Sequence, residues 1–328
     1  MADHSLYAQM REHGTLAEKP GEIPDARFAL PSTIHWMRAL ALLVDDLALD
    51  YGAARRFYAN VQRRALSKRE LNSICEQLLF ALHQVAALRA IAEVSNKADV
   101  ARMGIVAWYY GIYGAASAMI AAADGSFPDN HAATAQQWDR HFPANSLAMP
   151  PFGERISNLL DETVKRELAP IRSRGKHSLT TVPCTAEQAW GCCAEYLSGT
   201  ADWEQWNIRE RVTESRDFKA LGVDSFRTAA ARSVRDAWYG KRSIAFLHQA
   251  SRYRGKANYR DAIYLAYGKS VPRLLEGFVG DLDRVLTSFS AMAAAYASIR
   301  MGREHWFAYI EDLESKRSVS VSPKGIWS

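Results

Sequence analysis

Arg172 and His177 are the side chains of this sequence best suited to chemistry on a phosphate. They bracket Gly175 in a polar stretch, residues 169–179, that interrupts an otherwise helical pattern. A guanidinium offers a planar fork of donors to phosphate oxygens, and an imidazole with a pKa of ~6.5 can take or give a proton near neutral pH. Because the glycine can break helical geometry, both side chains could meet on one phosphate. Together the two side chains would suffice for metal-independent RNA cleavage by transesterification.

The Arg–His spacing alone carries little information, because the chain is rich in arginine. With 30 arginines and nine histidines in 328 residues, chance gives about two to three matches to an arginine followed by four to six residues and a histidine. The chain contains three such pairs, so only their context separates them. The pairs are Arg172/His177, Arg242/His248 and Arg300/His305.

Context ranks the other two pairs below Arg172/His177. Arg300/His305 follows a helical pattern and contains Gly302, which makes it a candidate second site. Arg242/His248 lies within what reads as one continuous helix, over residues 224–251, and is interpreted as surface charge.

The elements that must position these side chains read as one amphipathic helix after another. Apolar residues recur at spacings of three and four, and no alternating strand pattern of useful length is present. Ser67 with Glu70, and Thr185 with Gln188, have the spacing of capping boxes that begin helices. A nearly all-apolar helix over residues 96–123 is typical of the middle of a bundle. The sequence predicts an all-α protein of antiparallel helical bundles.

Composition divides the chain into four parts. Residues 1–25 are polar and contain prolines, so they are predicted to form a flexible N-terminal arm, and residues 316–328 are predicted to form a frayed tail. A break near residues 213–222 predicts a boundary between a helical bundle of residues 26–212 and a second, basic bundle of residues 213–315.

Positive charge is concentrated in the C-terminal part. Residues 213–328 contain 19 Lys or Arg against 12 Asp or Glu, a net charge of +7, whereas the whole chain has +5. Such a segment can follow a phosphate backbone, and cations interleaved with tyrosines suit phosphate contact plus base stacking. The predicted nucleic-acid contacts are Arg174, Lys176, Arg252, Arg254, Lys256 and Arg260.

Several other classes of protein are disfavoured. The four cysteines are too few and too irregularly spaced for a disulfide framework or a zinc site. The sequence contains no Walker loop, no dinucleotide-binding glycine motif, no nucleophile elbow and no zinc-protease motif. No apolar run is expected to cross a bilayer. We therefore expect a cytoplasmic protein without cofactor or metal and without a membrane partner.

Three features together resemble the HEPN family of all-α domains, which are common in bacterial toxin–antitoxin and antiphage systems. They are the small-residue and tyrosine-rich helix over residues 107–116, His131 in a later polar segment before Phe142, and Arg172/His177 after the following helix. The resemblance covers residues 28–206. A diverged second copy over residues 224–313 would make two tandem HEPN-like bundles.

The resemblance implies a metal-independent endoribonuclease whose arginine and histidine form a composite site, often completed across a homodimer. It implies RNA as substrate and a partner protein of a defence or toxin–antitoxin system. The alternative is a non-catalytic helical module that binds nucleic acid or protein, such as an antitoxin, an adaptor or a subunit of a defence complex.

Overall fold

A computed structural model describes residues 30–259 and 271–328 of the chain. Within these ranges no strand is formed, and only an isolated antiparallel bridge joins Ile156 to Ile244. The all-α prediction is therefore confirmed. The helices are α1 (Leu30–Asp46), α2 (Tyr51–Phe57), α3 (Lys68–Ala92), α4 (Lys97–Asp124), α5 (His131–His141), a 3-10 turn (Pro143–Asn145), α6 (Asp161–Ser173), α7 (Ala186–Thr213), α8 (Arg216–Lys219), α9 (Ala229–Tyr239), α10 (Phe246–Tyr259), α11 (Val271–Leu274), α12 (Phe278–Met301), α13 (Arg303–Lys316) and α14 (Lys324–Trp327).

Helix starts follow the local sequence. The Ser67 hydroxyl accepts from the backbone N–H of Glu70 while the Glu70 carboxylate accepts from the backbone N–H of Ser67, so the predicted capping box begins α3. Thr185 likewise accepts from the N–H of Gln188 and begins α7. The Gln188 side chain instead accepts from the N–H of Cys184. Both helix starts are fixed by contacts within a few residues.

Helix α4 lies at the centre of the bundle. It packs against α3, α5, α10 and α12, and most of its side chains are buried. Trp108 of α4 is fully buried and contacts Trp36, Phe246 and Tyr253 edge-on. The central position predicted for this helix follows from its lack of a polar face, because such a helix gains most by burial on every side.

One core spans the predicted boundary between the two bundles. Helix α12, from the C-terminal part of the chain, packs against α1, α2, α3 and α4. Among the described residues, buried apolar side chains from both sides of residue 212 belong to one continuous core. The boundary therefore does not coincide with a gap in that core, and the division into residues 26–212 and 213–315 stays a prediction. The predicted arm, residues 1–25, lies outside the described residues.

The C-terminal residues are packed, which corrects the prediction of a frayed tail over residues 316–328. Trp327 is fully buried, and its indole N–H donates to the Ser290 hydroxyl of α12 at 2.9 Å. Val321 and Ile326 are also buried. The polar composition of the segment concealed these three apolar side chains, and the Ser290 partner of Trp327 lies 37 positions away in the sequence.

The continuous helix predicted over residues 224–251 is interrupted, which corrects a second expectation. Helix α9 ends at Tyr239, α10 begins at Phe246, and the connection between them pairs with an earlier segment through Ile156 and Ile244. Gly240 follows the last residue of α9, where glycine commonly ends a helix. Arg242 therefore lies in a loop rather than on a helix face.

Among the described residues, two helices, α3 and α4, are long and apolar enough to cross a membrane by length and composition alone. Most of the apolar segment of α4 is buried within the bundle, as in the core helix of a soluble protein. The packing thus accounts for the apolar character of α4 without a bilayer.

Candidate active site

The loop between α6 and α7 crosses closely over the first turns of α7. A β-carbon at Gly175 would overlap the carbonyl oxygen of Glu187, and a β-carbon at Gly191 would overlap the backbone of His177. The N–H of Leu179 donates to the Glu195 carboxylate at 2.8 Å. The two glycines therefore allow the loop to approach α7 closely, and the Glu195 carboxylate binds it there. These contacts position the backbone that carries the predicted catalytic histidine.

Arg172 and His177 are both accessible from solvent. Arg172 is exposed in the last turn of α6, and its Nη2 donates to the Ser198 hydroxyl at 3.1 Å. His177 is half-buried, with its Nε2 3.3 Å from the Thr181 hydroxyl oxygen.

The structure holds these two residues at different levels of α7. Arg172 contacts Ser198, whereas the His177 backbone lies against Gly191. Seven residues separate these contact points, which is about 10 Å along a helix axis. The structure brings both side chains to the same helix, and their points of contact with it are about two turns apart.

A second histidine lies behind the loop. His35 of α1 is buried, and its Nδ1 donates to the Leu179 carbonyl at 2.7 Å. Burial lowers the pKa of His35, the bond to Leu179 opposes that shift, and the nearby His177 lowers it further. His35 is therefore neutral near pH 7 and anchors the loop from the side of the core. Sequence reasoning missed it, because it precedes the loop by more than 130 residues.

Arg174 and Lys176, both predicted to contact nucleic acid, differ in their surroundings. Arg174 donates to the Glu154 carboxylate at 2.8 Å and stacks over the Trp190 ring at 4.3 Å. Burial raises the pKa of Glu154, and Arg174 opposes that shift by stabilising the carboxylate. Lys176 is exposed. The guanidinium of Arg174 thus has a partner within the fold.

Arg300 and His305, the candidate second site, are not brought together as a phosphate site. The Arg300 guanidinium donates to three backbone carbonyls, those of Gln62, Ala122 and Ala123. His305 is exposed on α13. Two of the three carbonyls belong to the last turn of α4, so the structure gives the arginine a helix-capping role.

In the third pair, Arg242/His248, the histidine is buried and the arginine is half-buried, so its interpretation as surface charge is wrong. The Arg242 Nε lies 2.9 Å from a carboxylate oxygen of Glu204, which is 7 % exposed. The Nδ1 of His248 accepts from the backbone N–H of Ala245 at 3.1 Å. Burial, followed by the charge of Arg242, lowers the pKa of His248 to about 4.

Asp139 joins this buried polar network. Its carboxylate accepts two bonds from Arg155, at 2.8 and 3.0 Å, and one from the Ser243 hydroxyl at 2.6 Å. His248 is 8 % exposed. An imidazole that is closed off from solvent and uncharged near pH 7 suits a structural role better than contact with RNA. The sequence feature that could have indicated the break in the predicted helix before Arg242 is Gly240, which follows the end of α9.

The remaining predicted nucleic-acid contacts lie on or just beyond α10. Arg252 donates to the Gly199 carbonyl at 2.8 Å and stacks over the exposed Trp203 at 5.1 Å. Arg254 stacks over Tyr109 of α4 at 4.8 Å. Lys256 lies on α10, and Arg260 falls outside the described residues. Arg172 and Arg252 thus contact adjacent residues of α7, Ser198 and Gly199.

No protein-family model, no curated protein and no solved structure matches this chain. The function proposed below therefore depends on the fold and on the side chains described above.

Proposed function

We propose that the chain is a metal-independent endoribonuclease in which Arg172 holds a backbone phosphate and His177 is the general base and acid. The observation that supports this proposal is accessibility. Of the three Arg–His pairs, only this one combines an exposed arginine with a histidine that is not buried. The half-buried Arg300 donates to backbone carbonyls, and His248 is buried.

The proposed reaction is transesterification. His177 takes the proton of a ribose 2′-hydroxyl, the 2′-oxygen attacks the adjacent phosphorus, and the bond from phosphorus to the 5′-oxygen breaks. The protonated imidazole returns its proton to the leaving 5′-oxygen. The products are a 2′,3′-cyclic phosphate and a free 5′-hydroxyl, so the atoms and charges balance without water or metal.

The positions of the two side chains fit a strand that lies along α7. Arg172 and Arg252 contact neighbouring residues of that helix, and His177 lies about two turns nearer to its N-terminus. In this arrangement Arg172 holds a backbone phosphate, while the imidazole acts on the ribose next to the scissile phosphate. A homodimer could bring an arginine from a second copy closer to the same phosphate.

We further propose that the enzyme acts in the cytoplasm, in a defence or toxin–antitoxin system, with a partner protein that restrains it. The alternative is a non-catalytic helical module. The observation that favours the alternative is that the guanidiniums of Arg174, Arg252 and Arg300 contact the protein itself.

The test is cleavage of a labelled single-stranded RNA in EDTA. His177→Ala is expected to lower the rate at least 100-fold, because general acid–base catalysis contributes about 10²–10⁴-fold. Arg172→Ala is expected to lower it at least 10-fold. His305→Ala, which removes another surface histidine, serves as the matched control and is expected to leave the rate unchanged.

Circular dichroism of each variant checks that the helices are retained. A His177→Ala protein that cleaves at the wild-type rate would overturn the proposal, as would cleavage that requires a divalent cation. Wild-type protein that binds RNA without cleaving it would support the non-catalytic alternative.

A further inference from the structure

Three tyrosines of α4 surround the first residue of α5, His131. The ring centroids of Tyr109, Tyr110 and Tyr113 lie 5.3, 5.7 and 4.7 Å from that of the imidazole, and all three contacts are edge-on. Arg254 of α10 reaches the same place and stacks over Tyr109 at 4.8 Å. We call these five residues the aromatic platform.

The platform is partly open to solvent. Tyr109 is buried, whereas Tyr110, Tyr113, His131 and Arg254 are half-buried. An edge-on contact leaves at least one face of a ring uncovered by its neighbour, and such a face is what a planar base needs for stacking. The half-buried tyrosines and the imidazole therefore present aromatic surface beside a cation.

Two polar atoms of the platform are buried without a partner. The Nδ1 of His131 and the Nε of Arg254 have no hydrogen-bond partner among the described residues, and no carboxylate there forms an ion pair with Arg254. An unsatisfied buried polar group costs about 1–3 kcal/mol. The terminal nitrogens of Arg254 are not among these buried atoms, and phosphate oxygens match the geometry of a guanidinium.

The charge of the imidazole suits stacking. Burial lowers the pKa of His131, and the positive charge of Arg254 lowers it further. The ring is therefore neutral near pH 7. The N-terminus of α5, an eleven-residue helix, adds a partial positive charge at the same place, which favours an anion.

We propose that the aromatic platform binds one nucleotide of a single-stranded RNA, with its base stacked on the Tyr113 ring, beside the edge-on His131, and its phosphate on Arg254. The proposal rests on the proposed function, because it names a place where the substrate strand is bound away from the loop that carries His177. Helix α10 connects the two places, since Arg252 contacts α7 beside the residue that holds Arg172.

The excess of positive charge in residues 213–328 favours a negatively charged ligand over an apolar protein. Stacking on tyrosine and imidazole adds a preference for exposed bases, which a single strand offers and a duplex does not.

The test is fluorescence anisotropy with a labelled ten-nucleotide RNA, using full-length His177→Ala protein in EDTA so that the strand stays intact. Tyr113→Ala and Arg254→Ala are each expected to raise Kd about 5- to 100-fold, the range that alanine substitution gives at base-stacking sites. Arg254→Ala is also expected to reduce the salt dependence of binding by about one phosphate contact.

The matched control is another exposed cation–aromatic pair, Arg303 over Phe307 of α13, at 5.2 Å. Arg303→Ala and Phe307→Ala are expected to leave Kd within a factor of two. Tyr113→Phe, which keeps the ring, is expected to bind as the parent does and separates stacking from misfolding.

An unchanged Kd in both Tyr113→Ala and Arg254→Ala would overturn the proposal that the platform binds RNA. Equal losses of affinity in the Arg303 and Phe307 control variants would also overturn it. Competition by inorganic phosphate as strong as that by AMP would overturn the base-stacking part. Cleavage is scored separately with wild-type protein. If the wild-type protein cleaves RNA but the platform variants bind RNA normally, only the platform proposal is overturned. If the platform variants bind RNA more weakly but the wild-type protein never cleaves it, only the ribonuclease proposal is overturned.

Discussion

The Nε of Arg300, in the last turn of α12, donates to the carbonyl of Ala122, in the last turn of α4, at 3.0 Å. The two residues are 178 positions apart in the sequence. The same guanidinium also donates to Ala123 at 3.0 Å and to Gln62 at 2.8 Å. One side chain thus satisfies carbonyls that the end of α4 leaves unpaired, and it joins the C-terminal part of the chain to the N-terminal part.

Removal of this side chain tests its capping role. Arg300→Ala is expected to lower the free energy of unfolding by about 2 kcal/mol, because two partly buried carbonyls lose their donor and the end of α4 loses a favourable charge. His305→Ala is expected to change it by less than about 0.5 kcal/mol. Urea unfolding measures both. Equal small effects would mean that the three carbonyl bonds contribute nothing to stability.

The close approach to α7 of the loop between α6 and α7 gives a second prediction. In Gly175→Ala the new β-carbon would overlap the Glu187 carbonyl oxygen, so the loop must move and stability is expected to fall by about 1–3 kcal/mol. RNA cleavage is expected to fall with it, because the loop carries His177. The control is Gly280→Ala, where a β-carbon meets no atom within 4 Å. Wild-type cleavage by Gly175→Ala would show that the loop position is irrelevant to activity.

His248 predicts an acid-dependent loss of stability. Its folded-state pKa of about 4 lies below the ~6.5 of an unfolded chain, so protons bind the unfolded state more tightly. The contribution is complete above about pH 6.5 and is lost as the pH falls towards 4, with a total of about 3 kcal/mol.

Unfolding by urea between pH 7 and pH 4.5 measures this contribution. His248→Gln, which keeps an acceptor for Ala245 but cannot titrate, is expected to lose less stability over that range than the parent protein. Asp139, Arg155 and Arg242 are the charged groups that act on His248. Parallel pH profiles of parent and variant would contradict the assignment to this histidine.

The packed C-terminus gives a fourth prediction. Trp327→Ala is expected to cost about 3–5 kcal/mol, because it empties a buried site and leaves the Ser290 hydroxyl without its donor. Trp206→Ala, at a tryptophan that is 56 % exposed, is the control and is expected to cost far less. Thermal or urea unfolding compares them. Equal costs would indicate that the last residues do not dock.

Local features of this fold could be predicted from the sequence, and distant contacts could not. The starts of α3 and α7 follow from Ser67 and Thr185, whose caps need only residues three positions away. The burial of α4 follows from its apolar composition. In contrast, the partners of Arg300 and Trp327 lie 178 and 37 positions away, and no spacing rule connects such residues.

The same limit applies to the sites. The sequence drew attention separately to the tyrosines of α4, to His131 and to Arg254, but only packing of α4, α5 and α10 places them together. It also ranked Arg242/His248 as surface charge, because Gly240 was read as part of a helix. The polar residues around Trp327 led to the prediction of a frayed tail, whereas the structure buries this tryptophan.

The chemistry of the cleaved ends tests the central claim most directly. Purified protein is incubated with a defined single-stranded RNA in EDTA, and the fragments are weighed by mass spectrometry before and after phosphatase treatment. Transesterification with His177 as base and acid predicts fragments with 2′,3′-cyclic phosphate and 5′-hydroxyl ends, which are absent with the His177→Ala protein. Fragments with 5′-phosphate ends, or intact RNA with the wild-type protein, would contradict the claim.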